Sequence, residues 1–509
     1  MPTYLSPGVY VEELEAGSRP IEGVGTAVAA FVGLAADGPF NTPTMITNWN
    51  QFTTVFGDFV EGSYLAHAVY GYLLNGGGAC YVVRVGVNGP TPTARAELPS
   101  VKDAKQPALR FSALEPGTGG NDITVDVVPP TGEPPDPDTF TVVVKKAGQV
   151  VETFENVTAK KGKQNVVTVV QERSKVITVE EVEKGAALGV PVNSSVTLVG
   201  GTPATPEVMA PDDYVGNAAD RTGFAGLEAI DGVTMLCVPD LMAAYQKEMI
   251  DLEGMKAVQL AMIAHCELMG DRVAIIDPPP HLNAQQIGDW RSGYAGYDSK
   301  YATLYWPWIK VFDPPTGTNQ FIPPCGYIAG VWGRNDDTRG VHKAPANETI
   351  RGAIDLEINI TKSEHDQLNP VGINCLRSFA GRGIRIWGAR TLSSDPSWKY
   401  VNVRRLFNYL EESILQGTQW AVFEPNDNAL WAKMRRTIAS FLTNEWRKGA
   451  LFGLNPDQAF YVKCDEETNP PEIVDVGQVI CEIGVAPVKP AEFVVFRLAQ
   501  FSGGAAVSE

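Results

Sequence analysis

Runs of apolar residues predict a chain of mixed strands and helices around an α/β core. The runs typical of buried strands lie at 27–35, 80–87, 233–240, 272–280 and 301–314. The segments typical of helices lie at 65–74, 247–270 and 284–294. Strand–helix–strand repetition favours right-handed crossovers and a mainly parallel sheet. We therefore predict an α/β core formed by residues 21–90 and 206–380.

Between the two parts of this core, the pattern changes to short β-prone runs separated by turn residues. These runs lie at 123–128, 139–144, 165–170 and 195–200. Helical spacing of apolar residues is scarce in this stretch. The pattern predicts a β-rich domain over residues 91–205 that is inserted into the core.

Apolar residues at helical spacing return between 381 and 487, which we predict to be a C-terminal domain. Asp395 and Pro396 are typical of a helix start, and an apolar stripe follows over 403–414. A second predicted helix follows Asp427 and carries apolar residues at intervals of four. Two β-prone runs, at 459–464 and 478–486, are predicted to complete this domain.

Two β-prone segments flank these domains and are predicted to be extended arms. The first arm covers residues 1–20, and its apolar residues are Tyr4, Leu5, Val9, Tyr10 and Val11. The second arm covers residues 488–509, and its β-prone run contains Phe493, Val494, Val495 and Phe496. The whole pattern predicts an α/β and α+β multidomain fold class. It comprises a mainly parallel α/β core, a β-rich inserted domain and extended N- and C-terminal β arms.

The charge of the chain narrows its possible partners. The 509 residues include 41 Lys+Arg and 59 Asp+Glu, which gives a formal net charge of −18. Nucleic acid and anionic membranes would repel so acidic a chain. No apolar run reaches the roughly 18 residues of a membrane span, and the first residues lack the pattern of a signal peptide. We therefore expect assembly in the cytoplasm, no nucleic-acid partner and no direct membrane insertion.

Motifs that carry enzyme chemistry are missing from the sequence. There is no nucleophile elbow, no H-E-x-x-H, and no phosphate loop or dinucleotide fingerprint. The five His are dispersed, and the two closest Cys are 17 positions apart, so no metal or redox pair is indicated. We predict no catalytic, cofactor-binding or metal site. An α/β nucleotide-binding enzyme remains the alternative, because an open α/β sheet is a common enzyme scaffold.

Two titratable features are interpreted as structural. His265 lies on an apolar helix face and is predicted to be a core histidine. Asp336 and Asp337 are predicted to be loop and cap carboxylates near Arg334 and Arg339, with a catalytic or metal pair as the alternative.

One segment departs from the acidic average. Residues 381–450 contain 11 Lys/Arg and six Asp/Glu, so their sum is positive in an acidic chain. This excess indicates either a solvated helix face or a surface that docks on an acidic partner.

Several long stretches resemble the family of contractile tail sheath proteins. The first is YLSPGVYVEE at 4–13, and the second is DDTRGVHKAPAN at 336–347. A longer stretch runs from GIRIWGARTLSSDPSWKY at 383 through WAVFEPND to GALFGLNPDQAFYVKCDEETN at 449–469. The resemblance covers both ends and the α/β core and is weakest across 91–205, which is the variable outer domain of this family.

The resemblance implies a structural subunit that polymerises as a helix around a rigid inner tube and contracts to drive it forward. It implies arms that add strands to a small sheet in neighbouring subunits, an inner C-terminal domain, and further partners in a baseplate and a tail terminator or cap. The particle would be a phage tail or a phage-tail-like injection device, and lysis of the producing cell would release it. Charge and resemblance together predict an inner-tube contact, made by Lys433, Arg435, Arg436, Arg447 and Lys448. A non-contractile helical shell protein is a further alternative.

Overall fold

The large central sheet contains eight strands. The computed structural model describes residues 20–86, 93–99, 107–114, 118–130, 138–182, 193–201, 206 and 208–498. The strands in spatial order are Gly383–Ile386, Ile373–Phe379, Ala302–Trp306, Val273–Ile276, Met235–Cys237, Ala29–Gly33, Cys80–Arg84 and Thr44–Ile46. The six inner strands run parallel, and the strand at each edge runs antiparallel to its neighbour. The predicted mainly parallel core is therefore confirmed.

Helices cover both faces of this sheet, which explains the continuous apolar runs of its strands. Every residue of Ala29–Gly33 and of Ala302–Trp306 is buried. The α-helices are Trp49–Phe56, Leu65–Asn75, Val166–Arg173, Pro211–Val215, Asp240–Gln246, Leu252–Met269, Ala284–Asp289, Cys325–Arg339, Lys362–Leu368, Val401–Thr418, Asn428–Arg447, Pro456–Ala459 and Pro471–Asp475. None of the helices in the described ranges is long and apolar enough to cross a membrane.

Glycine lines the contact between two of these helices. The Cys325–Arg339 helix crosses the Leu65–Asn75 helix at Gly326 and Gly330. A Cβ at Gly326 would lie 2.4 Å from the Cα of Ala68. No side chain can be added there without moving one helix away from the other.

The described residues between 93 and 201 form two small antiparallel sheets with a hydrophobic core of their own. One sheet contains Ser195–Thr197, Ile123–Val128, Thr139–Lys146 and Gln149–Thr158, and the other contains Arg95–Pro99, Pro107–Ala113 and Ile177–Glu181. Their shared core includes Phe111, Phe140 and Val170. The chain leaves the large sheet through Gly86 and returns at Pro206, and a Cβ at Gly86 would lie 3.5 Å from the Pro206 ring.

One strand predicted in this region is wrong. The 165–170 run forms the beginning of the Val166–Arg173 helix. The side-chain oxygen of Asn165 accepts hydrogen bonds from the backbone N–H groups of Val167 and Thr168 and caps the helix. Val166, Val169 and Val170 face the core at helical spacing, so tertiary burial overrides the β propensity of valine.

The predicted 301–314 strand is two strands in different sheets. Pro307, which has no N–H to donate, follows Ala302–Trp306 in the large sheet. The next strand, Ile309–Asp313, pairs with Thr318–Ile322 and Asp355–Leu356 in a separate antiparallel sheet. The 247–270 helix also begins later than predicted, at Leu252, where Asp251 caps it.

The C-terminal body is built on two long helices and a β hairpin. We call Val401–Thr418 the anchor helix and Asn428–Arg447 the basic helix. The C-terminal hairpin is Phe460–Lys463 paired with Glu482–Val485. Their buried core contains Leu406, Leu410, Ile438, Phe441 and Leu442. Asp427 caps the basic helix as predicted, whereas Asp395 caps a separate turn, Pro396–Trp398, that precedes the anchor helix.

Candidate assembly site at the C-terminal body

The C-terminal hairpin is a two-stranded sheet with open edges. Val462, Ile483 and Val485 pack against the core beneath it. Tyr461 points away from that core and is 60% exposed. Within the described ranges, no third strand pairs with the outer edge of either strand. The backbone N–H and C=O groups along such edges are free to pair with an added strand.

A partly buried carboxylate fastens the C-terminal segment to the body. Glu492 accepts two hydrogen bonds from Arg390, at 2.8 and 2.7 Å, and one from Asn369 at 2.9 Å. The hydroxyl of Tyr400 donates a further hydrogen bond at 3.0 Å, and the ammonium of Lys399 lies 3.5 Å away. We call Glu492 with these four partners the Glu492 latch. Burial disfavours the charge of Glu492, but its hydrogen bonds to Arg390 and Asn369 outweigh burial and lower its pKa to about 2.

Beyond the latch, the β-prone run of the second arm is exposed. Phe493, Val494, Val495 and Phe496 are 71%, 69%, 76% and 84% exposed. No ladder hydrogen bonds join residues 489–498 to another described strand. Four consecutive apolar side chains in water indicate a surface that a partner covers.

The first described residues of the chain pack against the same C-terminal body. Ile21 belongs to the C-terminal core and packs on Gly417, where a Cβ would lie 2.6 Å from the Ile21 side chain. The backbone N–H of Val24 donates to the hydroxyl of Ser413 at 3.1 Å. The candidate arm residues Tyr4, Leu5, Val9, Tyr10 and Val11 lie outside the described residues.

The described start of the chain and the start of the C-terminal segment therefore contact opposite ends of the anchor helix. Asn402, in its first turn, donates a hydrogen bond to the carbonyl oxygen of Val488 at 3.2 Å. Gly417, in its last turn, contacts Ile21. At 1.5 Å per residue, these two points are roughly 22 Å apart along the helix.

The five candidate inner-tube residues do not share one environment. Arg436, Arg447 and Lys448 are exposed. Lys433 is half-buried, with its ammonium 4.2 Å from the ring centre of Trp420. Arg435 is also half-buried, and its guanidinium donates to the carbonyl oxygen of Cys464. Arg436 and Arg447 lie 11 positions apart on one face of the basic helix, which separates them by roughly 16 Å along its axis. Arg435 is turned towards the hairpin.

Part of the positive charge of residues 381–450 is buried and neutralised. Arg390 pairs with Glu492 and Arg405 pairs with Asp336, and both carboxylates lie outside that segment. Arg404 is also buried and contacts Glu411 at 3.0 Å. The sequence count therefore overstates the free surface charge of this region.

The prediction for Asp336 is wrong in position and partner. Asp336 lies in the Cys325–Arg339 helix, not in a loop, and it binds neither Arg334 nor Arg339. Its carboxylate accepts from Arg405 at 2.6 and 2.9 Å and from the hydroxyl of Thr26 at 2.7 Å. Both ionic side chains are almost fully buried, so the pair joins the anchor helix to the α/β core.

Other buried titratable groups make contacts within the protein that account for their burial. His265 is buried, as predicted, and burial beside Arg272 lowers its pKa to about 4. Burial raises the pKa of Asp240 to about 6, although Leu34, Tyr64 and Ser63 donate hydrogen bonds to its carboxylate. Within the described ranges, no group of three or more His, Cys, Asp or Glu side chains could hold a metal ion.

Comparisons with known proteins agree with this architecture. A family model of the phage tail sheath protein central domain matches residues 222–392, and one of the phage tail sheath C-terminal domain matches 393–501. Together they cover more than half of the chain.

Three relatives show how the sequence match is distributed. The tail sheath protein of Burkholderia phage BcepMu is 25% identical over 513 residues, covering 96% of this chain and 95% of the relative. That of Enterobacteria phage T4 is 25% identical over 332 residues, covering 62% and 48%. That of Vibrio phage KVP40 is 28% identical over 262 residues, covering 47% and 38%. The chain thus spans less than half the length of the T4 and KVP40 relatives.

Solved structures match the fold over nearly the whole chain. The sheath complex of the extracellular contractile injection system PVC, in its contracted state, matches with a TM-score of 0.59 at 22% identity, covering 98% of this chain and 99% of that one. The helical sheath of the anti-feeding prophage, also contracted, matches with a TM-score of 0.59 at 23% identity, covering 98% and 100%. At these identities the likeness is one of fold.

Proposed function

Because the chain belongs to the phage tail sheath protein family, we propose that it is the structural subunit of a contractile tail sheath. In this proposal it polymerises around an inner tube and contracts to drive the tube through a target envelope. The exposed run at 493–496, in a chain that also has a hairpin with open edges, is the observation that carries the proposal.

Strand exchange between copies explains why these two features occur in one chain. The exposed arm can donate a strand and pairs with no described sheet, and the C-terminal hairpin has free edges that can accept a strand. Fully burying four side chains of this size is favourable by on the order of several kcal/mol before the cost of ordering the arm. A donor and an acceptor on different surfaces form a head-to-tail contact, which propagates as a helix when it does not close into a ring.

Contraction then requires rigid bodies joined by flexible connections. The Glu492 latch and the Ile21 contact fix where each arm leaves the body, so that arms bend while bodies rotate. The energy would be stored as contacts between copies that form after rotation. The subunit therefore needs no nucleotide and no catalytic site, and we propose that it is not an enzyme.

The arm mechanism is tested with a truncation that keeps the latch. A chain ending at Glu492 lacks the apolar run, and a matched control ending at Leu498 retains it. We expect the shorter chain to stay a folded monomer in size-exclusion chromatography, and the control to form tubes or stacked rings in electron microscopy. Normal polymerisation of the shorter chain would refute strand donation by the second arm.

The alternation of side chains in a strand allows a sharper test. In a strand, Phe493 and Val495 face one side, and Val494 and Phe496 face the other. If the arm joins a sheet that rests on a core, replacing one pair with serine should impair polymerisation much more than replacing the other. Equal effects of the two double variants would argue against a β-strand arm. Deleting residues 1–20 tests the first arm in the same assay, and we expect soluble folded monomers.

We also propose that the basic helix contacts the inner tube, through Lys433, Arg435, Arg436, Arg447 and Lys448. The exposure of Arg436 and Arg447 on one helix face supports this role. The double variant Arg436→Glu with Arg447→Glu should weaken co-assembly with tube protein and leave sheath self-assembly intact. Lys175→Glu, at an exposed lysine in the 93–201 region, is the control. Unchanged co-assembly would mean that this face is merely solvated.

The remaining parts of the proposal concern the particle. We propose assembly in the cytoplasm and contacts with a baseplate and a tail terminator or cap. We further propose the division 1–20, 21–90 with 206–380, 91–205, 381–487 and 488–509 into arms and domains. The separate core of residues 93–201 supports the inserted domain. The strand Gly383–Ile386 hydrogen-bonds to Ile373–Phe379, so the 380/381 boundary passes through a hairpin.

A further inference from the structure

Two cysteines stand opposite each other at the base of the C-terminal hairpin. The register pairs Lys463 with Glu482, so its next position places Cys464 opposite Cys481. The N–H of Ala486 donates to the carbonyl oxygen of Ala459, which identifies a hydrogen-bonded pair in the same register. Alternation from that pair makes 464 and 481 a non-hydrogen-bonded position, one residue beyond the paired strands. In antiparallel sheets the Cα atoms of such a pair are typically about 4.5 Å apart. This spacing falls within the roughly 4.4–6.8 Å of disulfide-linked residues.

The two side chains also share one small core. Cys464 is buried in it with Leu430 and Trp431 of the basic helix, and Cys481 packs against it. Register and packing therefore place the two thiols together independently.

We propose that Cys464 and Cys481 are an oxidation site that forms a disulfide when the protein meets a disulfide oxidant such as oxidised glutathione. The bond would link the two strands covalently at the end of the hairpin and close the 465–480 segment into a loop. The hairpin would then be more rigid outside a reducing compartment than inside one.

Exposure sets the order of the chemical steps. Cys481 is partly exposed, whereas the other cysteines are buried. The Cys481 thiol loses its proton, and its thiolate attacks oxidised glutathione, releasing one reduced glutathione and leaving a mixed disulfide. The Cys464 thiol then loses its proton, and its thiolate attacks the Cys481 sulfur and releases the second glutathione. Two electrons pass from the protein to the oxidant, which takes up the two protons.

The pH dependence of the rate follows from burial. Burial raises the pKa of the Cys481 thiol to about 12, and it also raises the pKa of Cys464. The thiolate is the attacking species, so the reaction is slow near neutral pH and accelerates as pH rises.

The chain contains a matched pair for comparison. The Sγ of Cys237 lies 3.9 Å from the carbonyl oxygen of Cys325, so these residues are also neighbours. Both are fully buried in the large core, where an oxidant has no access. Proximity without access should leave them reduced.

The test treats the folded full-length chain with oxidised glutathione, quenches it with an alkylating reagent, and maps peptides without reduction. We expect a Cys464–Cys481 peptide link and a fall by two from seven free thiols. Cys481→Ser should abolish the loss of both thiols, and Cys237→Ser should still form the link. A stable glutathione adduct on Cys481 without the link, links to other cysteines, or retention of all seven thiols would each overturn the proposal. The wild-type map decides the matter even if a variant fails to fold.

Discussion

Replacing Glu492 with glutamine should detach the C-terminal segment from the body without unfolding the rest. The variant keeps the size of the side chain and removes the negative charge of the carboxylate, which accepts two hydrogen bonds from Arg390. The guanidinium of Arg390 is 9% exposed, so it would be left buried without a counter-charge.

The pKa of Glu492 gives the magnitude of this effect. Its value of about 2 lies roughly 2.5 units below the ordinary 4.5, which corresponds to about 3 kcal/mol of latch stability at neutral pH. Since few other contacts hold residues 489–498, the loss should appear as local opening. A change of about 3 kcal/mol corresponds to a roughly hundredfold increase in amide hydrogen exchange across this segment.

The pH dependence has a defined sign. The folded-state pKa is depressed, so the latch has its full stability above pH 4.5 and loses it as pH falls towards about 2. Exchange corrected for intrinsic rates should show this loss in the wild-type chain and not in Glu492→Gln. The control is Glu472→Gln, at an exposed glutamate of the Pro471–Asp475 helix. A difference of less than about threefold in amide protection between Glu492→Gln and the wild-type chain would contradict this prediction. It would mean that the cost of desolvating the Glu492–Arg390 ion pair cancels its attraction.

Three further predictions concern the supports of the assembly site. Gly326→Ala should lower the unfolding midpoint of the α/β core, because its methyl group would lie 2.4 Å from the Cα of Ala68; calorimetry measures the shift. Arg405→Ala should destabilise the joint to the core by about 3–5 kcal/mol, because Asp336 would remain buried and unpaired; denaturant titration checks this. Asn165→Ala should remove a helix cap worth about 1 kcal/mol, with faster hydrogen exchange confined to the 93–201 region.

Local patterns in the sequence were sufficient for five of the eight strands of the large sheet, whereas Thr44–Ile46, Ile373–Phe379 and Gly383–Ile386 were not predicted. Continuous apolar runs identified strands such as Ala29–Gly33, because strands buried on both faces leave no polar alternation. The same rule failed at 165–170, where valines at helical spacing and an Asn165 cap form a helix. A short apolar run cannot distinguish the two structures without its tertiary environment.

The pairs that build the candidate site could not be predicted from the sequence. Glu492 and Arg390 are 102 positions apart, and Asp336 and Arg405 are 69 apart. No local spacing links such residues, since only the folded chain brings them together. Their charges are visible in the sequence, but their burial is not, which is why the charge count for 381–450 overstated the free surface.

The chain leaves the α/β core at Gly86 and returns at the neighbouring Pro206, and this closeness has a consequence for the evolution of the protein. Where a chain departs and re-enters at nearly the same point, whatever lies between can grow, shrink or be exchanged while the surrounding framework keeps its shape. Residues 93–201, with a self-sufficient interior, meet this condition. This region is thus free to diversify, or to be replaced by a foreign domain, at little cost to the rest of the fold.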